Sequence, residues 1–238
     1  MTSEPAHAEA PTVAIGSTLL GLGDSIAAGI GAPHVSDGFL GLLARRLARR
    51  HPDIRLVNLA VPGETSSSML APGGQLEVAE GVITAGGVSP IVLSIGGNDA
   101  MEAATLGDDA ALSLLARNLD HILRRLDVAL RAAGSRLAGS ACLQTVYNPF
   151  ELAGVDGQPH PEVDPDALAP RRSTRGGHNR VIRAAAAHWG VGVADVARIF
   201  RGRARELTWV GSGDIHPSER GHTVIADAYV AACGWEGV

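Results

Sequence analysis

Three apolar runs in this chain break off into short polar turns that carry glycine. Leu19-Leu20-Gly21-Leu22-Gly23 ends in Asp24-Ser25, and Ile54-Arg55-Leu56-Val57-Asn58-Leu59 empties into Ala60-Val61-Pro62-Gly63-Glu64-Thr65. Pro90-Ile91-Val92-Leu93-Ser94-Ile95 runs into Gly96-Gly97-Asn98-Asp99. Short apolar runs bounded by Gly and Pro read as buried strands. The third is apolar almost throughout, as a central strand of a parallel sheet is.

Helical periodicity fills the intervals. Leu40, Leu43 and Leu47 mark a helix over 36–51 with Ser36-Asp37 as its cap, and Arg45, Arg46, Arg49 and Arg50 form its solvated side. A short helix after Thr65, a helix over 75–84 and a long amphipathic helix over 109–133 follow; the long one places Leu112, Leu115, Leu119, Ile122, Leu126 and Leu130 on one face. A fourth strand over 136–143, a helix over 173–189, a fifth strand over 191–195, a short helix to Phe200 and a last helix over 218–232 complete the reading. Strands alternating with helices, without a repeat, specify an α/β fold with a parallel sheet covered on both faces. The C-terminal ends of parallel strands lie along one edge, where such folds place their sites. Ser25, Gly63 and Asn98 are thereby expected to meet, with His216 arriving on the loop Gly211-Ser212-Gly213-Asp214-Ile215-His216-Pro217.

A length of 238 residues suits one core, read as a flexible tail over 1–17 and a single domain over 18–238. Aromatics are only 3% of the chain, so Ala, Val, Leu and Ile must fill that core. A net charge of −5 with no basic face argues against nucleic acid. The N-terminal stretch lacks the basic start and apolar block of a signal peptide, and no segment is apolar for long enough to span a membrane; a cytoplasmic location is expected. Cys142 and Cys233 fit no metal spacing and read as buried free thiols, with one bridge left open. His34, His121, His160, His178 and His188 are scattered without metal spacing, so no metal site is expected, and the serine chemistry set out below needs no cofactor. The segment over 147–172, rich in Pro and Gly, either borders the site or is a surface excursion.

Acyl transfer through a serine needs a base for the hydroxyl proton, donors for the oxyanion and a group that fixes the tautomer of the base. Ser25 is the candidate nucleophile and His216 the base. The amides of Ser25 and Gly63 and the side-chain amide of Asn98 are the donors, and Asp214 is the candidate to orient His216. Asp24 and Asp99 read as braces for their loops through backbone N–H bonds. His222 reads as a surface or packing histidine, Arg171, Arg172 and Arg175 as solvated charges, and Asn179 as a cap or brace.

These residues resemble the SGNH hydrolases, also called the GDSL esterase/lipase family. Its blocks appear in order as Gly23-Asp24-Ser25, Asn58-x-Ala60-x-x-Gly63-x-Thr65, Gly96-Gly97-Asn98-Asp99 and the loop containing His216-Pro217. The resemblance implies a three-layer α/β/α, flavodoxin-like sandwich with a five-stranded parallel sheet. It also implies a metal-free serine esterase with Ser25, Gly63 and Asn98 as oxyanion hole. Ala27 stands where the Gly-x-Ser-x-Gly elbow needs its second glycine, which disfavours the ordinary α/β-hydrolase fold. The family usually places its aspartate three residues before the histidine; here that position is Gly213, and either Asp214 or a backbone carbonyl orients the ring. The function expected is hydrolysis of small-molecule or lipid esters through an acyl-enzyme. An acyltransferase or a carbohydrate O-deacetylase would use the same residues, and a binding protein would have no need of all four.

Overall fold

A computed structural model of the chain describes residues 15–106, 108–151, 166 and 177–235. The tail over 1–14 and most of the 147–172 segment, with His160, Arg171, Arg172 and Arg175, lie outside the described residues.

Five strands form one sheet: β1 (Thr18–Gly23), β2 (Arg55–Asn58), β3 (Val88–Ser94), β4 (Ala141–Gln144) and β5 (Gly192–Ala194). Their order is β2-β1-β3-β4-β5 and every pairing is parallel. From β1 the chain goes out to β2 on one side and returns to β3 on the other, so the crevice between β1 and β3 is the topological switch point. Ser25 lies immediately beyond the end of β1.

Period-two alternation divides the sheet between two cores. Leu20, Leu22, Ile91, Leu93 and Leu143 face α4 (Gln75–Thr84), α6 (Asp108–Ala132) and α7 (His178–Trp189). Leu19, Val92, Cys142 and Ala194 face α2 (Phe39–Leu47), α8 (Val196–Phe200) and α10 (Glu219–Cys233). The shorter helices α1 (Ser25–Ala28), α3 (Ser66–Met69), α5 (Gly97–Leu106) and α9 (Ala204–Leu207) lie in or beside the loops of the site edge. The result is the expected three-layer α/β/α sandwich. No described helix is long and apolar enough to cross a membrane.

Several local expectations change. Ser36 and Asp37 do not cap a helix; they lie in a single 3₁₀ turn over Val35–Asp37, and α2 starts at Phe39, whose N–H donates to His222 Nδ1 at 3.3 Å. A cap supplied from α10 leaves no local sequence signal. The expected strand over 136–143 shortens to β4, because Leu137 turns to donate its N–H to Asp127 at 3.1 Å. α5 begins directly after β3 and has no marked apolar periodicity by which to be read.

Cys142 and Cys233 are joined as a disulfide, which corrects the reading of free thiols. They are 91 residues apart, yet the end of α10 crosses the sheet where β5 places Gly192. A Cβ there would lie 3.0 Å from Cys233 Sγ and 3.1 Å from Cys142 Sγ, so the missing side chain admits the bridge.

Candidate active site

Gly23 closes β1 with φ +136, and a side chain there would collide with the backbone of Ser94. Only glycine allows β1 and β3 to stay this close while the chain turns out of the sheet. Asp24 then caps α1: its Oδ1 accepts the Ile26 N–H at 3.0 Å. Ser25 is the first residue of that helix, so its amide has no acceptor inside the helix. Asn58 clamps this turn from β2, donating to Ala27 O at 3.0 Å and accepting from Ala60 N–H at 3.0 Å.

Gly63 occupies an exposed, left-handed turn with φ +83 and open space around its Cα. Behind it a capping box between Thr65 and Ser68 starts α3. Asn98, in the first turn of α5, spends one Nδ2 hydrogen on the Glu64 carbonyl at 2.7 Å. The second hydrogen is left for a ligand. Asp99 accepts the Ser66 N–H, at 3.0 Å to Oδ2, and the Ser66 hydroxyl. Both Asp24 and Asp99 are buried and bonded to loop backbone.

The loop that carries His216 is fixed at three points. Trp209 N–H donates to the His216 carbonyl at 3.0 Å, Asp214 N–H donates to the Trp209 carbonyl at 3.2 Å, and the Tyr147 hydroxyl donates to the Ile215 carbonyl at 2.8 Å. His216 Nε2 then stands 2.9 Å from Ser25 Oγ, and Asp214 Oδ1 stands 2.5 Å from His216 Nδ1. Partial burial works to raise the Asp214 carboxyl, but the bonds from His216 outweigh it and hold the group below the usual range. An ionised carboxylate only accepts, so Nδ1 carries the proton and Nε2 presents a lone pair to Ser25. A hydroxyl facing an imidazole lone pair, with that imidazole held by a carboxylate, is the geometry that activates a serine for attack on a carbonyl.

Asp24 sits one residue from Ser25 in a drier setting. Burial pushes its carboxyl up to about 7, against the N–H bonds it accepts at the start of α1, and the charge of Asp99 adds to the rise. Tyr147 and Tyr229 are both raised well above the usual phenol range, first by burial and then by the charge of Asp24. The four family-like blocks therefore converge on one edge of the sheet.

His222 does not join them. It is fully buried, its Nδ1 accepts from Phe39 N–H, and its Nε2 lies 2.9 Å from the Ile30 carbonyl, to which it donates. Both ring nitrogens are engaged, so it is a clamp between α10 and α2. Asn179 is a brace, its amide paired with both the N–H and the C=O of Val146 at 2.7 and 2.8 Å. Two residues of the site's frame, Glu64 and Gln75, drew no notice in the sequence. Glu64 adjoins Gly63 and had that much of a signal; Gln75 opens a helix eleven residues on and had none. Among the described residues no group of three or more His, Cys, Asp or Glu comes together to hold a metal.

Residues 22–224 match the model of the GDSL-like lipase/acylhydrolase family. The chain is 34% identical over 158 residues to the esterase TesA of Pseudomonas aeruginosa, across 60% of this chain and 75% of that one. Among solved structures it is similar to LAE5, an α/β hydrolase from the metagenome of Lake Arreo, with a TM-score of 0.63 and 24% identity over 93% of this chain and 96% of that one. The acetylxylan esterase Axe2 of Geobacillus stearothermophilus aligns with a TM-score of 0.62 and 20% identity over 92% and 96% of the two chains. At these identities the structural likenesses concern the fold.

Proposed function

The chain belongs to the GDSL-like lipase/acylhydrolase family and is a carboxylic ester hydrolase; on that footing we propose that it works through an acyl-enzyme at Ser25. The observation that carries the proposal is the continuous run of contacts from Asp214 Oδ1 through His216 to Ser25 Oγ, at 2.5 and 2.9 Å. His216 Nε2 takes the Ser25 proton as Oγ attacks the ester carbonyl. The amides of Ser25 and Gly63 and the free hydrogen of Asn98 Nδ2 receive the oxyanion, each donor being worth roughly 10²–10³ in rate. The imidazolium hands its proton to the departing alcohol. Water, deprotonated by His216, then releases the acid and restores the serine. Asp214 keeps Nδ1 protonated throughout and stabilises the charge that His216 acquires.

The surroundings favour esters of small or acyl-chain acids. Ile30, Val61 and Met101 are exposed apolar side chains that follow or precede Ser25, Gly63 and Asn98 closely in sequence. Met101 lies three residues after Asn98 in α5, on the same side of that helix. Exposed apolar groups close in the chain to a polar site offer an acyl chain a surface to leave water for. The acetylxylan esterase among the fold relatives makes sugar acetates the competing substrate class.

Release of p-nitrophenol from a C2-to-C12 series of p-nitrophenyl esters, with Ser25→Ala in parallel, tests the reading, together with fluorophosphonate labelling. We expect hydrolysis and labelling in the parent and neither in Ser25→Ala. Turnover confined to the C2 ester moves the substrate to small acetates such as sugar esters. A parent that transfers the acyl group to an added alcohol in preference to water is an acyltransferase. Activity that survives in Ser25→Ala removes Ser25 from the chemistry.

A further inference from the structure

Where β1 ends, its neighbour β2 has already left. The last paired residues are Gly21 and Asn58, and beyond them the chain reaches Gly23 only through Val61 N–H, which donates to the Gly23 carbonyl at 3.0 Å. The Gly23 N–H would then lack a strand partner on that side. Gln75, the first residue of α4, fills the gap with its side chain. Its Oε1 accepts the Gly23 N–H at 2.6 Å, and its Nε2 donates to the Gly23 carbonyl at 2.9 Å. A carboxamide presents the same acceptor and donor as a peptide unit, so Gln75 continues the ladder where backbone has run out. Asn179 does the same for Val146, beyond the end of β4.

The second Nε2 hydrogen gives Gln75 a reach that Asn179 lacks. It donates to Glu64 Oε2 at 2.9 Å, while the other Glu64 carboxylate oxygen accepts the Ser68 hydroxyl. The backbone carbonyl of Glu64 is in turn the acceptor that holds Asn98. A single buried side chain thus bonds the turn that presents Ser25 to the segment that presents Gly63 and anchors Asn98. The orientation of the amide follows from its partners, since the Gly23 N–H needs the oxygen and the Gly23 carbonyl needs the nitrogen.

We propose that Gln75 is a positioning residue that holds the Ser25 turn in register with the Gly63–Glu64 segment and Asn98, so that nucleophile and oxyanion donors meet the same carbonyl. The inference rests on the acyl-enzyme reading of this site. Gln75 touches no reacting atom; it acts through Gly23 and Glu64. A displacement of about 1 Å between nucleophile and donors is enough to cost on the order of 10²-fold in rate.

Two replacements of similar size separate positioning from bulk stability. Gln75→Leu leaves Gly23 without either side-chain partner. Gln75→Glu when ionised still accepts the Gly23 N–H but has no hydrogen for the Gly23 carbonyl or for Glu64, and it sets a carboxylate against both. Once protonated, its carboxyl accepts from the Gly23 N–H and has one hydrogen to donate to Glu64 Oε2, which restores the link, while the Gly23 carbonyl keeps the Val61 N–H. Turnover of one p-nitrophenyl ester and the rate of fluorophosphonate labelling are measured for parent and variants from about pH 5 to about pH 9. Each variant is read as a ratio to the parent at the same pH, with Gln75→Leu, which adds no titratable group, as the reference for the pH dependence of Gln75→Glu.

For folded Gln75→Leu we expect kcat and the labelling rate to fall about 10²-fold, with KM within about twofold of parent. Gln75→Glu should be as slow at high pH and recover at least about fivefold relative to parent toward low pH, as its carboxyl protonates. If Gln75→Leu does not fold, the pH dependence of that ratio decides alone. A folded Gln75→Leu with parental kcat, or a ratio for Gln75→Glu that is flat with pH, overturns the inference. A parent that neither hydrolyses esters nor takes the label overturns the acyl-enzyme reading and this inference with it. A labelled parent whose variants label at its own rate overturns only the role of Gln75.

Discussion

One oxygen of Asp214 accepts two hydrogen bonds from His216, from its backbone N–H at 3.0 Å and from its ring Nδ1 at 2.5 Å. The carboxylate folds back over its own loop as an Asx turn. Gly213, left-handed at φ +86, lets the chain enter that turn. This is how an aspartate two residues from the histidine reaches the ring; an extended loop would set the two side chains on one face but about 7 Å apart along the chain.

Because that oxygen both bends the loop and orients the ring, Asp214→Asn and Asp214→Ala differ informatively. The asparagine keeps an acceptor for the His216 backbone N–H but no longer matches the charge that forms on the ring. We expect kcat to fall by roughly 10²–10⁴ in Asp214→Asn with little change in melting temperature. Asp214→Ala should lose the same activity and some stability as well. Steady-state kinetics beside a thermal melt checks both, and turnover near that of the parent in either variant would remove Asp214 from the mechanism.

Asn98→Ala should lower kcat by about 10²–10³ while KM stays nearly constant, since the oxyanion exists only beyond the ground state. Its bond to the Glu64 carbonyl is partly exposed, so the fold should tolerate the loss. A change confined to KM would mean that Asn98 binds substrate rather than the developing charge.

His222→Leu separates the two histidines of the C-terminal region. It leaves the buried Phe39 N–H without its acceptor and the part-buried Ile30 carbonyl without its donor, at a cost of about 1–3 kcal/mol, which a denaturation curve will register. Fluorophosphonate labelling of Ser25 should persist at low temperature, where the variant is folded. Burial holds the His222 ring below its ordinary value, against the bond to Ile30, so the native state binds fewer protons than the unfolded one. The stability it contributes is present above the ordinary histidine range and is lost as pH falls through the folded value.

Asp24 has the opposite sign. Its carboxyl is raised from 3.8 to about 7, so the native protein holds a proton that the unfolded chain has released between those values. That contribution is present below the unfolded value and is lost as pH rises through the folded one. Asp24→Asn keeps an acceptor for the Ile26 N–H and cannot ionise. We expect the parent to lose melting temperature relative to Asp24→Asn as pH is raised from about 4 to about 8. A difference that stays constant over this range would show that Asp24 titrates as an ordinary carboxylate.

The strand sequence and the four polar blocks were legible because each has a local cause. A buried parallel strand must be apolar on both faces, and a turn at its end needs glycine. Leu19 to Ser25 and Ile91 to Asn98 carry both signals within a few residues. What escaped reading depends on partners far away in sequence. Ser36 and Asp37 look like a cap, yet the cap is His222, some 180 residues on. Cys142 and Cys233 showed no pairing signal, because what brings them together is the passage of α10 over Gly192.

By itself the sequence determined that the chain forms a parallel α/β sandwich and that Ser25, Gly63, Asn98 and His216 lie on its site edge. Periodicity and glycine placement are properties of neighbouring residues, and sheet topology carries them to one edge. Only the tertiary structure decided that Asp214, rather than a backbone carbonyl, meets His216, and that Gln75 stands in for a strand at Gly23. Both are hydrogen bonds whose existence depends on ångström-scale placement of loops, and side-chain identity alone does not encode that distance.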